Sequence, residues 1–423
     1  MTTSTPSTMM QERALSDYRG IVDPEILDEL QDLGRKLRGK RIVHVNSTRL
    51  GGGVAEILYT LIPLSRSLGL ETDWLVIEGD PPFFKVTKAF HNQLQGEAVP
   101  LTPEMLAHYE RINEQNARRL DLGADVVIVH DPQPAALVTH RPKSALWLWR
   151  CHIDLSPKPL PALARGPQLS AWGFLREYVE QYDGAIFTLP RFAQGLRIPQ
   201  HFVPPSIDPL SEKNRDLPPD EVAAICEELG VPPDKKVLVQ VSRFDRFKDP
   251  IGVIRAYKLF RETYGREHDA CLVLAGGGAT DDPEGKAVLK EVEAHAAGYE
   301  DIRILERPPT SHREINALQR RADVVLQKST REGFGLVVTE ALWKRRPVVA
   351  APAGGITLQV LDGLTGFLAR SDEEWADRLA YLLEHPEAGA RMGEAGHKHV
   401  RQHFLTPREL RDYLRVIADH LGV

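Results

Sequence analysis

The sequence predicts an α/β protein of two doubly wound parallel sheets, one in each half of the chain, facing each other across a cleft. Three observations lead there. At 423 residues the chain is too long for one ordinary core and suits two. Apolar runs of strand length alternate with helical patterns along both halves. The chemically distinctive residues fall just after strands, where doubly wound sheets bind their ligands.

The elements follow in order. Met1 to Met10 is rich in Ser and Thr and lacks the apolar core of a signal peptide, so residues 1–18 read as a loose tail. Pro24 to Leu37 has the period of an amphipathic helix. Arg41 to Val45 is the first strand; Gly51-Gly52-Gly53 follows, then a helix from Val54 to Leu68 and a strand from Asp73 to Ile77. Pro81 to Gln95 reads as irregular, with Phe83, Phe84, Lys85, Lys88, His91 and Asn92 crowded together. A helix from Pro103 to Leu120 precedes strands at Asp125 to Val129 and Ala145 to Arg150. A helix at Ala171 to Gln181 and a strand at Gly184 to Thr188 close the first half. The proline-marked stretch from His201 to Pro219 is the boundary. Beyond it, strands are expected at Val237 to Val241, Ala270 to Leu274, Ile302 to Leu305, Asp323 to Leu326 and Pro347 to Ala350, with three helical patterns after Asp372. The domains are thus 1–206 and 207–403, with 404–423 free to pack back on the first.

Composition excludes several classes. A formal charge of −6 leaves no electrostatic footprint for nucleic acid or an anionic membrane. The basic run Arg35 to Arg41 falls at a helix end closed by Gly39, where cations suit the dipole. Cys151, Cys226 and Cys271 are few and show no metal-ligand spacing, which points to a reducing, cytoplasmic setting. No apolar run reaches membrane-spanning length.

The stretch Ser329 to Leu342 carries the densest chemistry. A buried strand ends in a loop with Glu332, Gly333 and Gly335, and Gly335 to Lys344 reads as a helix. The free amides of such a helix start, with the positive end of its dipole, make a phosphate site. Glu340 lies on the helix face of Leu336, Val337 and Trp343, where a carboxylate needs a partner. A vicinal diol such as a ribose would supply one; an ordinary ion pair is the other reading. Arg243 and Lys248 follow the first strand of the second half, a fork and a point charge that both suit a diphosphate. Gly51 to Gly53 and Gly276 to Gly278 match no complete phosphate-loop fingerprint, and the second run reads as a plain turn. His152, at a strand end, is open to a ligand role or a structural one. Cys151 reads as a small buried hydrophobe. Asp131 and Asp154 either grip a sugar hydroxyl or cap a turn. No cluster has metal-site spacing.

These residues carry a resemblance. Arg243 with Lys248, Glu332 to Leu336 with Glu340, and Asp362 to Phe367 resemble the retaining nucleotide-sugar glycosyltransferases of the GT-B fold, which has two Rossmann-like domains. His44 to Thr48, Gly53 to Ile57, Pro82 to Lys88, His91-Asn92 and Leu94 to Gly96 resemble the trehalose glycosyltransferring synthases, and the trehalose phosphorylases share much of this pattern.

The resemblance implies a reversible, retaining transfer of glucose from a nucleoside-diphosphate-glucose, UDP- or ADP-linked, to free glucose, giving α,α-trehalose. It implies that Arg243, Lys248 and Glu332 act in catalysis, the two cations on the diphosphate and Glu332 on the donor glucose. Gly52, Gly53, His152, Gly335, Leu336, Val337 and Glu340 would bind the donor, Glu340 at the ribose. Asp131, Lys85 and Asn92 would bind the acceptor. Lys85, Lys88 and Arg49 would serve instead if that acceptor carried a phosphate. No tightly bound cofactor and no protein metal site are implied; Mg2+ accompanying the diphosphate and a homodimer are left open. A phosphorylase and a non-catalytic sugar-nucleotide sensor are the competing readings.

Overall fold

The computed structural model describes residues 10–156, 169–265, 268–277 and 283–423. Strands covered by helices on both faces must be apolar throughout, and β3 (Val126–His130), β4 (Leu146–Arg150) and β5 (Gly184–Phe187) are buried along their whole length. With β1 (Arg41–Asn46), β2 (Glu71–Val76) and β6 (Gln200–Phe202) they form a parallel sheet in the order β2-β1-β3-β4-β5-β6. The second sheet comprises β7 (Lys236–Val241), β8 (Ala270–Gly276), β9 (Ile302–Glu306), β10 (Val324–Gln327), β11 (Val348–Ala350) and β12 (Gly366–Leu368). Its order is β12-β11-β10-β7-β8-β9, again parallel. In each sheet the order reverses next to the first strand, at β1/β3 and at β7/β10. Loops leaving the carboxyl ends there diverge, which opens the crevice that doubly wound sheets use for ligands.

Two compact units result. One comprises Met1–Pro205 with Thr406–Val423; the other comprises Ser206–Leu405. The helix Thr406–Leu421 belongs to the first unit: Arg408 donates to the Pro205 carbonyl at 3.0 Å and Arg415 to Glu29 at 2.7 Å. The first core is built around fully buried Trp147 and Trp149, the second around Tyr257, Phe260 and Trp375.

An aspartate placed just before a strand sets register at three points on the amino edges. Asp125, before β3, accepts the Arg41 amide of neighbouring β1 at 2.9 Å. Asp183, before β5, accepts the Trp147 amide of β4 at 2.7 Å. Asp323, before β10, accepts the Val237 amide of β7 at 2.8 Å. A buried backbone amide needs an acceptor, and at each of these strand starts the carboxylate supplies it.

The structure corrects two expectations. Residues 1–18 are not loose throughout: Leu15–Tyr18 forms a 3-10 turn and Tyr18 is fully buried, while residues 1–9 lie outside the described residues. Pro81 to Gln95 is not irregular but a helix, Pro81–Leu94. Asp80 caps it by accepting the Phe83 amide at 2.9 Å, and prolines in a first helical turn lose no hydrogen bond. Gly276 ends β8, and a Cβ on it would lie 1.8 Å from the Ser242 carbonyl oxygen, so a close backbone approach accounts for glycine there. Gly278 lies outside the described residues.

Asp323→Ala should lower stability by about 1–3 kcal/mol, the cost of leaving a buried amide unpaired. Urea unfolding followed by circular dichroism measures it; Asp323→Asn, which keeps an acceptor, should recover most of the loss.

Candidate active site

In the second unit the loops after β7 and β10 leave adjacent strands at the switch point. The first carries Ser242 to Asp249. Asp245 accepts the Phe247 amide at 2.8 Å and so starts the short 3-10 turn Arg246–Lys248. Arg243 pairs with Asp245 at 3.2 Å and remains more than half exposed. The second loop, Lys328 to Gly335, is tied to the first by the Thr330 amide donating to the Phe247 carbonyl at 2.8 Å. Across this junction Lys248 Nζ reaches Glu332 Oε2 at 2.5 Å, and Ser329 Oγ donates to the same oxygen at 3.2 Å. The Glu332 loop lies flush on the turn after β11. A Cβ on Gly354, whose φ is +47°, would fall 1.4 Å from the Glu332 carbonyl oxygen, so only glycine fits.

Gly335, at φ +87°, turns the chain into the helix Leu336–Trp343. The amides of Leu336 and Val337 bond to nothing among the described residues, so the first turn presents open donors beside the Lys248–Glu332 pair. Lysine, guanidinium and helix start are groups that could hold an anion at the carboxyl edge of the sheet.

Glu340 is a second buried carboxylate, 1% exposed. The partner its position calls for is within the chain: Lys213 Nζ lies 3.2 Å from Oε1 and Gln319 Nε2 donates to Oε2 at 3.2 Å. Burial alone would push this carboxyl up; Lys213, Lys344 and the two hydrogen bonds outweigh it and hold it below the usual range. Lys344 donates to Asn214 Oδ1, Gln319 Oε1 and the Glu340 carbonyl, and burial pushes its ammonium down to about 7 against the pull of Glu340. Lys213 lies in the proline-marked linker, where no periodicity singles it out.

In the first unit the switch point lies between β1 and β3. Gly52 caps the helix Gly53–Ser67 with both residues exposed at its start. Asp131 follows β3 at φ +65°, and its Oδ1 accepts the His152 amide at 2.7 Å. Packing around this carboxyl pushes it up to about 6, against that hydrogen bond and the nearby Arg150 cation. His152 bonds to His130, and His130 to His44, in a row of rings running under the sheet edge. Asp154 serves as a turn cap, accepting the Ser156 amide at 2.9 Å. Cys151 is buried, and burial pushes its thiol well up. Lys85 is exposed on Pro81–Leu94, and Asn92, two turns on, shares its face with a shielded Oδ1 that has no hydrogen-bond partner among the described residues. Neither bonds to Asp131 or His152. Arg49 is committed to Trp74, donating to its carbonyl at 2.9 Å and lying 5.1 Å over its ring.

Residues 44–194 match the family described as trehalose synthase, N-terminal domain, and residues 222–399 match glycosyl transferases group 1. A trehalose synthase of Pyrococcus horikoshii is 45% identical over 411 residues, covering 96% of each chain. The chain belongs to the trehalose synthase family. A trehalose phosphorylase of Pleurotus pulmonarius is 30% identical over 84% of this chain and 54% of its own length. Among solved structures, an α,α-trehalose-phosphate synthase (UDP-forming) from Burkholderia xenovorans matches with a TM-score of 0.71 at 14% identity, over 90% of this chain and 100% of that one. The trehalose synthase family member described here is a glycosyltransferase, and its fold class is GT-B.

In this family member the second unit brings Lys248, Glu332 and the helix start together, with Arg243 on the same loop as Lys248. Glu340 stands apart, behind Lys213. No group of three or more His, Cys, Asp or Glu residues among the described residues could hold a metal ion. No helix among them is long and apolar enough to cross a membrane.

Lys213→Met should destabilise the fold by about 3 kcal/mol, because it leaves the Glu340 charge buried with weaker compensation. The double variant Lys213→Met/Glu340→Gln should recover most of that loss in thermal or urea unfolding.

Proposed function

We propose that the chain transfers glucose from a nucleoside-diphosphate-glucose to free glucose, reversibly and with retention, to give α,α-trehalose. The observation that carries this reading is the anion site of the second unit: Lys248 against Glu332, open amides at Leu336 and Val337, and a largely exposed Arg243. These groups suit the diphosphate that leaves. One preorganised donor aimed at charge growing on a leaving group contributes about 3–4 kcal/mol. Glu332, held by Lys248 and Ser329 through one oxygen, keeps the other for a donor-sugar hydroxyl.

Retention through a covalent intermediate would need a carboxylate close to the anomeric carbon as nucleophile. Glu332 is neutralised by its lysine and poorly suited to that role. A front-face displacement fits better: the C1–O bond to the phosphate breaks, the acceptor hydroxyl adds from the same side, and its proton passes to the departing phosphate oxygen. Arg243 and Lys248 supply counter-charge, so the reading asks for no resident metal. Glu340 reaches a ribose in this scheme only after Lys213 withdraws. Gly52 and Gly53 would approach the donor, and His152 its sugar. Asp131, Lys85 and Asn92 remain the proposed acceptor contacts.

Neutral glucose as acceptor is favoured by Arg49, which is held against Trp74 and not offered to a phosphate. A phosphorylase would use the same anion site for inorganic phosphate, and the 30% identical relative keeps that reading in view. Incubation with UDP- or ADP-glucose and labelled glucose or glucose 6-phosphate, read by the anomeric NMR signals, should give α,α-trehalose from glucose. A reducing product, a β-linkage or a phosphorylated disaccharide would refute the reading; glucose 1-phosphate released from trehalose and phosphate would establish the phosphorylase.

The Asp131 carboxyl gives a pH dependence. Its folded value of about 6 lies above the ordinary 3.8, so it is neutral below about pH 6 and accepts hydrogen bonds as a carboxylate above it. If it holds the acceptor, kcat/KM for glucose should rise about tenfold per pH unit below 6 and level off above. Asp131→Asn should lower the plateau and abolish that limb; an unchanged profile in this variant would remove Asp131 from the acceptor site.

A further inference from the structure

The row of rings beneath the first unit's sheet edge is not absorbed by the proposed chemistry. His44 lies on β1, His130 ends β3 and His152 follows β4, three neighbouring strands. His44 Nδ1 and His130 Nε2 are 3.0 Å apart, and His130 Nδ1 and His152 Nε2 are 3.1 Å apart. The ring planes are inclined to one another by only 27° and 14°, with centroids 5.3 and 5.4 Å apart, so the rings lie nearly edge to edge. His44 and His130 are 2% exposed; His152 alone keeps some surface. Burial, with the Arg150 cation close to His130 and His152, holds all three neutral.

A neutral imidazole has one N–H and one acceptor nitrogen. Two nitrogen–nitrogen bonds in a row of three such rings therefore have only two consistent arrangements. If His44 donates from Nδ1, His130 accepts at Nε2, carries its proton on Nδ1 and donates to His152 Nε2. His152 then carries its proton on Nδ1. In the reverse arrangement every proton sits on Nε2 and the bonds run from His152 toward His44. A mixed row would set two N–H groups, or two lone pairs, face to face at about 3 Å, which no bond compensates. We propose that His44 and His130 are positioning residues that fix the tautomer of His152, and so decide whether its open Nδ1 acts as donor or acceptor.

The groups around the row are fixed. Asp131 holds the His152 amide, so that ring cannot turn away by a backbone shift. The Tyr413 ring meets His44 edge-on at 6.2 Å, and the Arg150 guanidinium lies 6.0 Å from the centroid of the Tyr413 ring. Arg150 is fully buried and donates to the Val203 carbonyl at 2.7 Å, and its Nε and Nη1 have no hydrogen-bond partner among the described residues. The inference rests on the reading above only where it gives His152 a sugar hydroxyl to meet; the tautomer coupling stands on geometry alone.

Long-range 15N–1H correlation spectra of the full chain, labelled at the histidine ring nitrogens, read each tautomer directly. All three rings should show the same tautomer at neutral pH. His44→Phe keeps an aromatic ring in place and removes the first nitrogen, and His130 and His152 should then change tautomer or become mixed. Different tautomers in the unaltered protein, or an unchanged His152 in both His44→Phe and His130→Phe, would overturn the coupling; the first of these needs no variant. In His44→Phe, kcat/KM for the nucleotide-glucose should fall about two- to tenfold, the worth of one neutral hydrogen bond. Affinity for the nucleoside diphosphate alone, which has no glucosyl group, should not move. A changed tautomer with unchanged kinetics would sustain the coupling and refute the donor-sugar contact of His152.

Discussion

The ion pair between Lys248 and Glu332 is the interaction on which the second unit's site depends. Both side chains are largely shielded, and either charge buried alone would cost several kcal/mol. Together they are tolerable only with close geometry and further hydrogen bonds, and the 2.5 Å contact and Ser329 supply both. The pair also has a mechanical effect. It bolts the loop after β7 to the loop after β10, and the Thr330–Phe247 backbone bond repeats the connection. Two loops that leave their strands in diverging directions become one piece, and the helix start at Gly335 is set in place beside them. Gly354 then matters as much as any charged residue, since a side chain there would lift the Glu332 loop off its support.

The first unit has no such ion pair at its switch point. Its residues there are neutral imidazoles and a carboxyl raised to about 6, which is a carboxylate at neutral pH and gains its proton on mild acidification. Hydrogen bonds between neutral partners are weaker than the Lys248–Glu332 pair but depend more on which atom carries the proton. A cationic edge with open amides fits phosphate oxygens; an edge of directional imidazole and carboxyl groups fits sugar hydroxyls. The electrostatics of the two units thus divide the two chemistries that a nucleotide sugar combines.

How much of this the sequence shows depends on the range of the interaction. Strands buried on both faces are legible because their apolar runs are continuous, and the switch-point loops are legible because their residues follow those runs. Glu340 stands out because a carboxylate on an apolar helix face demands a partner, but its partner Lys213 lies in a linker without pattern and only the fold brings it near. His44 and His130 are hidden inside strands, where a polar residue in an apolar run signals burial and not what it meets. Pro81 to Gln95 fails for a local reason: paired prolines and aromatics look like a loop, yet with Asp80 before them they are a helix start. Asp323 shows the opposite case. A charge at the head of an apolar run looks like an interruption, and the structure makes it the acceptor that sets the register of two strands.

The two carboxylates most visible in the second half are both neutralised by lysines. A back-face nucleophile needs a carboxylate free to form a bond at carbon, and losing a tight lysine contact would add to its barrier. The groups without such commitments are donors: the guanidinium of Arg243, exposed beyond Asp245, and the amides of Leu336 and Val337. Donors cannot attack an anomeric carbon, but they can stabilise oxygen as it gains charge, and they need no reorganisation to do so. If the rate enhancement is located where unpaired capacity remains, it lies on the leaving group and not on an attacking residue. Under the proposed function, such a site assists departure and leaves the attack to the acceptor's own hydroxyl.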